Sequence, residues 1–542
     1  MSVHAPAAPV PHPAHHPGRP ALDKRPSLLT VVIFIGLLAV GLLFGAQGLI
    51  TDVRNAHAGA TEASYVSFIL LIVALLIALA FEFVNAFHDT ANAVATVIYT
   101  HSLPPSAAVV WSGAFNFLGV LTSSGAVAFG IISLLPVELI LQVGSSAGFA
   151  MVFALLIAAI IWNLGTWALG LPASSSHTLI GSIVGVGIAN ALMHGRDGTS
   201  GVDWAQATKV GYSLLLSPLV GFGGAALLLL LLRALIRKNK ELFEAPKGNH
   251  PPPWWIRGIL ILTCTGVSFA HGSNDGQKGM GLIMLILVGT VPLAYALNLS
   301  MPADKTTEFV AVAQVTQQSL AKVAPGNAVA DPRGVLATYV RSKEYKPEVL
   351  DALVAMTGSI GTQVKESGTF DKLPPAAVAN VRNDMYLASE ALRQIDKSHA
   401  VTFEGDTQQN VKAFRKLIDQ ATKFIPDWVK VAVSVALGLG TMVGWKRIVV
   451  TVGEKIGKTH LTYAQGASAE LVAMMTIGAA DIYGLPVSTT HVLSSGVAGT
   501  MAANRSGLQM STIRNLLMAW VLTMPAAIVL SGSLFWLFTQ IF

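Results

Sequence analysis

Two aspartates recur in similar contexts and are the first candidates for ion chemistry. Asp89 closes the segment Phe-Val-Asn-Ala-Phe-His-Asp at 83–89, and Asp275 closes Phe-Ala-His-Gly-Ser-Asn-Asp at 269–275. A carboxylate inside an apolar span costs about 2.5–3.5 kcal/mol to insert and usually lines a polar path. Asp89 and Asp275 are therefore predicted to bind a substrate or an ion. The alternative is that each one caps the end of an interrupted helix.

Two hydroxyl-rich motifs could bind an anion. Residues 170–177 read Gly-Leu-Pro-Ala-Ser-Ser-Ser-His, and residues 484–491 read Gly-Leu-Pro-Val-Ser-Thr-Thr-His. Each proline marks a helix start, where free N–H groups and the positive end of the helix dipole face an anion. Two such helix N-termini facing each other would hold a tetrahedral oxyanion by hydrogen bonds alone. The alternative is that the hydroxyls only join helices, as they often do in membranes.

An anion site beside two aspartates needs an accompanying positive charge, because carboxylate and phosphate repel each other strongly at low dielectric constant. The charge could be a proton on Asp89 or Asp275, a Na⁺ ion, or a metal ion that arrives as a salt of the anion. Each of these couples the anion to a cation, which predicts symport. Phosphate fits better than sulfate, because protonated phosphate can donate a hydrogen bond to aspartate. A sulfate permease remains the alternative.

Other polar residues near these motifs have less specific roles. His177 and His491 close the hydroxyl motifs and either shuttle protons near neutral pH or fix the helix starts by hydrogen bonding. Lys278 is placed to pair with Asp275 or with the anion. Three further acidic residues are predicted to lie at helix ends or to face loops: Glu82, Glu470 and Asp481.

The composition indicates that these motifs belong to a polytopic membrane protein. The 542 residues are 53% hydrophobic and 12% charged, with a mean hydropathy of +0.59. Soluble proteins carry about 25% charged residues, so a soluble multidomain protein is excluded. The single cysteine, Cys264, excludes a disulfide framework or a cysteine-based metal cluster. In such a protein the net charge of +6 reports which loops stay in the cytoplasm rather than an affinity for nucleic acid.

Apolar stretches long enough to cross a bilayer as helices, about 20 residues each, predict about eleven crossings. The predicted spans are 28–50, 64–84, 106–135, 146–168, 174–193, 210–232, 256–300, 428–445, 465–483, 488–503 and 515–541. The segments 85–103 and 271–300 are rich in small and polar residues, and they are predicted to be parts of broken helices.

The basic loops predict the orientation of the chain. The clusters at 233–240 and 446–458 are placed in the cytoplasm, which puts the N-terminus inside and the C-terminus outside. Residues 1–27 are predicted to be a disordered cytoplasmic tail, and 28–50 an extra N-terminal transmembrane helix.

The paired motifs predict an internal duplication. The aspartate motifs are 186 residues apart and the hydroxyl motifs 314 apart, and the increase is close to the length of the polar segment 303–427. The transport repeats are predicted at 64–240 and at 256–302 with 428–542. Their opposite starting sides make them inverted repeats, which hold substrate near the membrane midplane. The segment 303–427 is predicted to be an inserted helical domain in the periplasm, or else a long loop with helical propensity.

The motifs resemble those of the inorganic phosphate transporter (PiT) family. The segments His-Asp-Thr-Ala-Asn-Ala at 88–93 and Gly-Ser-Asn-Asp-Gly-Gln at 272–277 carry the resemblance, together with the paired Leu-Pro-x-Ser-x-x-His motifs. The resemblance implies an all-α transport core of two inverted repeats with broken helices, in the bacterial cytoplasmic (inner) membrane, and a homodimer. It also implies that inorganic phosphate is bound by Asp89, Asp275, Asn274, Ser174, Ser175, Ser488 and Thr489.

His88 departs from the pattern of many sodium-coupled members, which resemble Asn-Asp in both motifs. An imidazole in place of a neutral oxygen ligand disfavours Na⁺, because hard cations prefer oxygen. The substitution predicts proton coupling through His88, Asp89, Asp275, His177 and His491. It also allows phosphate to move as a neutral complex with Mg²⁺ or another divalent cation. The alternative is a Na⁺-coupled phosphate symporter.

No other function class has comparable support. A membrane phosphatase would need a nucleophile with a base or a set of metal ligands. The only His-x-x-x-His spacing, His12 and His16, lies in the proline-rich tail, and the sequence contains no cysteine motif and no P-loop. A phosphate sensor would need a cytoplasmic output domain. The sequence therefore predicts a transporter rather than an enzyme, without a resident cofactor or metal.

Overall fold

The computed structural model describes residues 20–22, 27–56, 65–134, 145–236 and 238–541, except for the side chains of 55–56, 65–67, 89–92 and 199–200. Most of the predicted tail, 1–27, lies outside the described residues. The described chain is all-helical apart from short connections and one isolated backbone bridge between Gly457 and Leu508.

The helices before the loop at 236–253 carry the first pair of motifs. They are α1 (Leu28–Ala56), α2 (Tyr65–Tyr99), α3 (Pro105–Thr122), α4 (Ala126–Ile132), α5 (Ser146–Ala168), α6 (Ser175–Met193) and α7 (Trp204–Leu235).

The helices after that loop carry the second pair. They are α8 (Trp254–Thr290), the short α9 (Pro292–Tyr295), α10 (Ala303–Ala321), α11 (Pro332–Ser342), α12 (Glu348–Ser367), α13 (Pro375–Ser398), α14 (Gly405–Thr422), α15 (Asp427–Gly440), α16 (Trp445–Val450), α17 (Tyr463–Ile482), α18 (Thr489–Ala503) and α19 (Met510–Phe538).

Seven described helices are long and apolar enough to cross a membrane, or eight if the bent pair α15 and α16 forms one span. Their outer faces are apolar: in α7, for example, Leu215, Leu219 and Leu227 are more than half exposed. Exposed leucines of this kind on a long helix are stable in lipid but not in water. The chain is therefore a multi-pass membrane protein.

The breaks predicted in 85–103 and 271–300 do not lie at the aspartate motifs, because α2 and α8 continue through these motifs without interruption. The small residues of α8 serve close packing instead. A Cβ atom on Gly272 would lie 2.2 Å from the carbonyl oxygen of Asn116 in α3, and one on Gly276 would lie 2.5 Å from the Val120 side chain. Helices are interrupted at Val291, between α8 and α9, at 123–125 and at 441–444; at 441–444 the chain bends by 58°.

The two helical hairpins, α5–α6 and α17–α18, bear on the number of crossings, which stays a prediction. As four separate spans, their turns would lie on opposite faces of the membrane. Instead the hairpin turns meet: the Ser176 hydroxyl donates to the backbone carbonyl of Val487 at 2.7 Å, and the ring centroids of His177 and His491 are 4.6 Å apart. The turns therefore lie in the interior of the bundle.

The contacts of the prolines in these turns support the same position. The indole of Trp520, the eleventh residue of α19, donates to the Pro172 carbonyl at 3.1 Å, and the hydroxyl of Ser213, the tenth residue of α7, donates to the Pro486 carbonyl at 3.1 Å. Ten helical residues span about 15 Å, which is half of a hydrocarbon core. Both turns thus lie beside the middle of long helices.

The helix packing occurs in matched pairs. Helix α6 packs against α19 as α18 packs against α7; α2 packs against α5 and α15 as α8 packs against α17 and α3. Exchange of the two proposed repeats reproduces these contacts, as a two-fold arrangement would. The duplication and its inverted orientation remain a prediction that this packing supports.

Helices α10–α14 surround a hydrophobic core of their own, in which the Phe309 ring lies 5.5 Å from Phe370 and 5.8 Å from Phe414. These helices belong to the segment 303–427 that was predicted to be an inserted domain, and we use that name for it below. Residues just before and just after the segment contact α1. The carboxylate of Asp52 accepts hydrogen bonds from the Tyr295 hydroxyl and the Trp428 indole, each at 2.9 Å.

Candidate functional site

An ion pair in the middle of the bundle forms the centre of the candidate site. The Lys278 Nζ atom lies 2.5 Å from Asp275 Oδ2, and both side chains are fully buried in α8. The Ser175 hydroxyl, in the first turn of α6, lies 3.3 Å from Lys278 Nζ and 3.5 Å from Asp275 Oδ2. A cation, a carboxylate and a hydroxyl therefore converge at one helix N-terminus.

The same face of α8 extends this cluster. His271, one turn before Asp275, places Nε2 at 3.5 Å from Asp275 Oδ2, while its Nδ1 is 2.8 Å from Asn116 Oδ1 in α3. The Asn116 amide in turn donates to the Thr441 hydroxyl at the break between α15 and α16. The orientation of Asp275 is thus tied to two other elements of the bundle.

The serines that open the hydroxyl motifs are helix N-caps. The Ser174 Oγ accepts the backbone N–H of His177 at 3.2 Å, and the Ser488 Oγ accepts that of His491 at 3.1 Å. Their hydroxyl protons stay available to a further acceptor, because a hydroxyl both donates and accepts. Thr489 follows in the first turn of α18 and is also buried.

Asn274 positions the second hairpin turn. Its amide nitrogen donates to the Leu485 carbonyl at 3.1 Å, and its amide oxygen accepts the Val487 N–H at 3.5 Å. Gln277 and Ser273 reinforce this arrangement from α8, since each donates to a carboxylate oxygen of Asp481 at 2.6 Å. Both ends of the Asn274 amide therefore bind protein backbone.

The two histidines of the hydroxyl motifs stack in series. The ring centroids of His491 and Trp520 are 4.1 Å apart, with an angle of 28° between the ring planes. The ring centroids of His177 and His491 are 4.6 Å apart, with an angle of 42° between the planes. His88 is buried away from this stack against α5, with its Nε2 atom 2.8 Å from the Asn163 carbonyl. The side chain of Asp89, in α2, lies outside the described residues.

Two acidic residues that were predicted at helix ends are buried in the middle of helices. Glu82 is fully buried in α2 against Gly279, the residue after Lys278. Glu470 is fully buried in α17, where its carboxylate accepts hydrogen bonds from the Thr96 and Thr263 hydroxyls. A carboxylate in this environment needs such donors or a charge partner. Asp481 does lie at a helix end, in the last turn of α17.

Several polar atoms around the ion pair have no hydrogen-bond partner in the described part of the chain. They are Asp275 Oδ1, Thr489 Oγ1, His177 Nδ1 and Glu82 Oε1. Buried polar atoms are nearly always satisfied in folded proteins. This set offers donors and acceptors to a small polar ligand.

Lys278 pairs with Asp275, which was one of its two predicted partners. His271 and Glu82 were not predicted to belong to the site. For His271 a signal was present, because it lies four residues before Asp275, on the same helical face. Glu82 gave no such signal, because Ser268 stands at the equivalent position of the second motif and only the packing of α2 on α8 brings it to Lys278.

Comparisons with known proteins extend over most of the chain. The sequence model of a family described as "Phosphate transporter family" matches residues 85–531. The low-affinity inorganic phosphate transporter PitA of Escherichia coli (strain K12) is 43% identical over 489 residues, which cover 87% of this chain and 97% of that protein.

Two further relatives agree. PitB of the same strain, also named a low-affinity inorganic phosphate transporter, is 41% identical over 510 residues, covering 87% of this chain and 97% of its own. The low-affinity inorganic phosphate transporter of Buchnera aphidicola subsp. Acyrthosiphon pisum (strain APS) is 40% identical over 489 residues, covering 86% and 96%. The resemblance to inorganic phosphate transporters is thus confirmed: the chain is a transport protein that belongs to the phosphate transporter family.

Proposed function

We propose that the protein imports inorganic phosphate by cation symport through the central site. The coupling ion is the proton, and phosphate also crosses as a neutral complex with a divalent cation such as Mg²⁺. The substrate lies between the first turns of α6 and α18 and the Lys278–Asp275 pair. We place the protein in the bacterial inner membrane as a homodimer, in line with the resemblance of its motifs.

The observation that carries this proposal is the position of Ser175. Its hydroxyl lies within 3.5 Å of both a buried ammonium and a buried carboxylate, in the first turn of a helix. Lysine and the helix N-terminus attract the anion, while Asp275 can accept a hydrogen bond from it. Protonated phosphate carries both kinds of group, whereas sulfate at neutral pH has only acceptors.

The buried atoms without partners fit the same ligand. The Thr489 hydroxyl can donate to a phosphate oxygen, and Asp275 Oδ1 can accept a phosphate hydroxyl. The capping hydroxyls of Ser174 and Ser488 accept helix N–H groups and can each donate a proton to a phosphate oxygen. Asn274 supports the site indirectly: its amide holds the turn before α18 and does not bind the substrate.

The charges around the site favour symport. Lys278 neutralises Asp275, but Glu82 is buried beside it, and Asp89 follows two helical turns later in α2. An anion that enters this set meets more carboxylates than cations, so it needs a co-transported positive charge. His88, held by the Asn163 carbonyl, offers nitrogen rather than the oxygen ligands that Na⁺ prefers.

The test is phosphate uptake into proteoliposomes under an imposed pH gradient, with and without Na⁺ and Mg²⁺. We expect uptake to follow the proton gradient, to need no Na⁺ and to rise with Mg²⁺. A strict requirement for Na⁺ would show that the coupling ion is Na⁺ rather than the proton, and it would leave phosphate as the substrate. Phosphate would be rejected as the substrate if the protein took up no phosphate but did take up sulfate, and if phosphate did not inhibit that sulfate uptake.

The site itself is tested by Asp89→Asn and Asp275→Asn, each of which should abolish uptake. Asp371→Asn, a change of the same kind on the exposed surface of the inserted domain, is the matched control and should transport normally. Normal uptake by either site variant would reject the paired-aspartate mechanism. Cross-linking in membranes measures the oligomeric state separately.

A further inference from the structure

A large cavity lies between the inserted domain and the transport helices, apart from the central site. Its volume is about 860 Å³, and its walls come from α4, the start of α7 and the end of α8 on one side and from α11, α13 and α14 on the other. Two walls of different origin enclose it, so its shape depends on how the domain docks on the transport helices.

The lining of this cavity, which we call the vestibule, is strongly cationic. Eight basic side chains line it against three acidic ones. The basic residues are Lys209, Arg341, Lys343, Arg382, Arg393, Lys397, Arg415 and Lys423, and the acidic residues are Asp203, Glu390 and Asp419. A concave surface with one sign of charge raises the local concentration of ions of the opposite sign.

The acidic residues of the vestibule are already engaged by part of this basic set. Arg393 bridges Glu390 and Asp203, the N-cap of α7, and Lys423 pairs with Asp419 at 2.7 Å. Lys343 also lies 3.9 Å from Asp203, and Arg415 lies 3.9 Å from Asp396. The contacts of Asp203 with Arg393 and Lys343 join the domain to α7, and four of the eight basic residues have no ion pair within the described part of the chain: Lys209, Arg341, Arg382 and Lys397.

Arg382 is the clearest of the remaining cations. Its guanidinium lies 5.5 Å from the centre of the Tyr386 ring and donates to the Asn383 side chain, without a carboxylate partner in the described part of the chain. Burial lowers the pKa of Arg382, as expected for a desolvated cation that lacks a counterion. Arg382, Tyr386 and Ser389 lie on one face of α13, at helical spacing, and all three line the vestibule.

The vestibule lies one short helix away from the central site. Ala126 and Gly130 of α4 line its floor, and the backbone N–H of Val127, on the same helix, donates to the Gln277 side chain at 2.8 Å. Gln277 is two residues after Asp275 in α8. Ions held in the vestibule are therefore separated from the ion pair by α4 and α8.

We propose that the vestibule is a second oxyanion site, centred on Arg382 and Lys397, which collects phosphate groups at the mouth of the transport path. This inference rests on the proposed function in one respect only, the identification of the bound anion as free phosphate. The same chemistry would bind the phosphate of a lipid headgroup, so the experiment must separate the two sources.

A cysteine at the vestibule tests the local charge without any need for transport. Ser389→Cys places a thiol among these cations, and the native Cys264 is buried. In vesicles of zwitterionic lipid, we expect an anionic methanethiosulfonate to modify the thiol about 10-fold faster than a cationic one. Inorganic phosphate should slow the anionic reagent, and Arg382→Gln with Lys397→Gln should remove both effects.

The controls decide between the sources of phosphate. The matched control is Lys322→Gln with Lys372→Gln, which also removes two positive charges. Both lysines are exposed on the inserted domain outside the vestibule, so this variant should keep the preference for the anionic reagent. Equal rates for the two reagents would overturn the site. Protection by anionic lipid in the vesicle but not by free phosphate would overturn the role of free phosphate and assign the site to a headgroup.

Transport kinetics provide the second readout. Arg382→Gln with Lys397→Gln should raise the KM for phosphate by about 3-fold to 10-fold, with a smaller effect on kcat, and high ionic strength should reduce the difference from wild type. An unchanged KM at low ionic strength would show that the vestibule does not feed the transport path. If the whole chain proved not to carry phosphate, the cysteine result would still stand or fall by itself.

Discussion

The imidazole rings of His177 and His491 lie 4.6 Å apart, although the two residues belong to the first turns of different helices, α6 and α18. Each ring follows a capping serine whose hydroxyl binds the backbone N–H of that same histidine. The contact therefore brings two capped helix starts together in the interior. Their dipoles then act on the same small volume, beside the Lys278–Asp275 pair.

This contact predicts a specific cross-link. His177→Cys with His491→Cys, in a chain carrying a protease site in the loop 238–253, should be joined by Hg²⁺ so that the two fragments stay together after cleavage. Each single-cysteine variant is the control and should separate. Failure of the double variant to cross-link would contradict the contact and would indicate that the two turns lie on opposite faces of the membrane.

The Lys278–Asp275 pair predicts opposite effects on stability and on transport. Lys278→Met leaves a buried carboxylate without its partner, which should cost about 3–5 kcal/mol and lower the melting temperature in detergent. Lys278→Met with Asp275→Asn removes both charges and should restore most of that stability while uptake stays absent. Uptake by the double variant would show that the pair is purely structural.

The contact between Gly272 and Asn116 predicts a steric effect. Gly272→Ala puts a methyl group 2.2 Å from a backbone oxygen of α3, so α3 and α8 must separate. We expect a loss of about 1–3 kcal/mol and a lower yield of folded protein. Gly258→Ala is the matched control in the same helix, because nothing lies within 4 Å of its Cβ position. Equal melting temperatures for the two variants would contradict the close packing.

Docking of the inserted domain through Asp203 predicts a response to acid. Burial raises the pKa of Asp203, but the Gln206 N–H and the charge of Arg393 outweigh it, so the pKa lies below its ordinary value of 3.8. The carboxylate therefore stabilises docking at higher pH, and this contribution is lost as pH falls through the lowered pKa.

Limited proteolysis of the inserted domain between about pH 5 and about pH 3 measures this contribution. Cleavage should increase toward low pH in the wild type. Asp203→Asn should lower the free energy of docking by about 1–2 kcal/mol at about pH 5, so this variant should be cleaved faster than the wild type. Its cleavage rate should also depend less on pH. The same pH dependence in both proteins would exclude Asp203 as the responsible group.

The sequence was sufficient to predict features that follow from composition and local chemistry. Hydropathy predicts a multi-pass membrane protein, and the proline-plus-hydroxyl motifs predict the starts of α6 and α18. The capping role of Ser174 and Ser488 at these starts was not predicted. The paired motifs also identified Asp275, which lies at the centre of the buried cluster.

What the sequence could not predict depends on long-range packing. Apolar length cannot distinguish a hairpin whose turn stops in the interior from two full crossings, so the segments on each side of Pro172 and Pro486 were predicted as separate spans. Small residues such as Gly272 look like helix breaks, whereas in the structure they let α3 approach α8. Glu82 reaches Lys278 only because α2 packs on α8, and no local pattern carries that information.

The hydrogen bonds of Asp52 impose an order on biosynthesis. This carboxylate is made with the first helix, yet its partners Tyr295 and Trp428 follow 243 and 376 residues later in the chain. The first helix must therefore wait in the bilayer until the inserted domain has been translated and its two ends can be joined. Completion of that domain, rather than insertion of the early helices, is then the step that locks the N-terminal helix into the finished transporter.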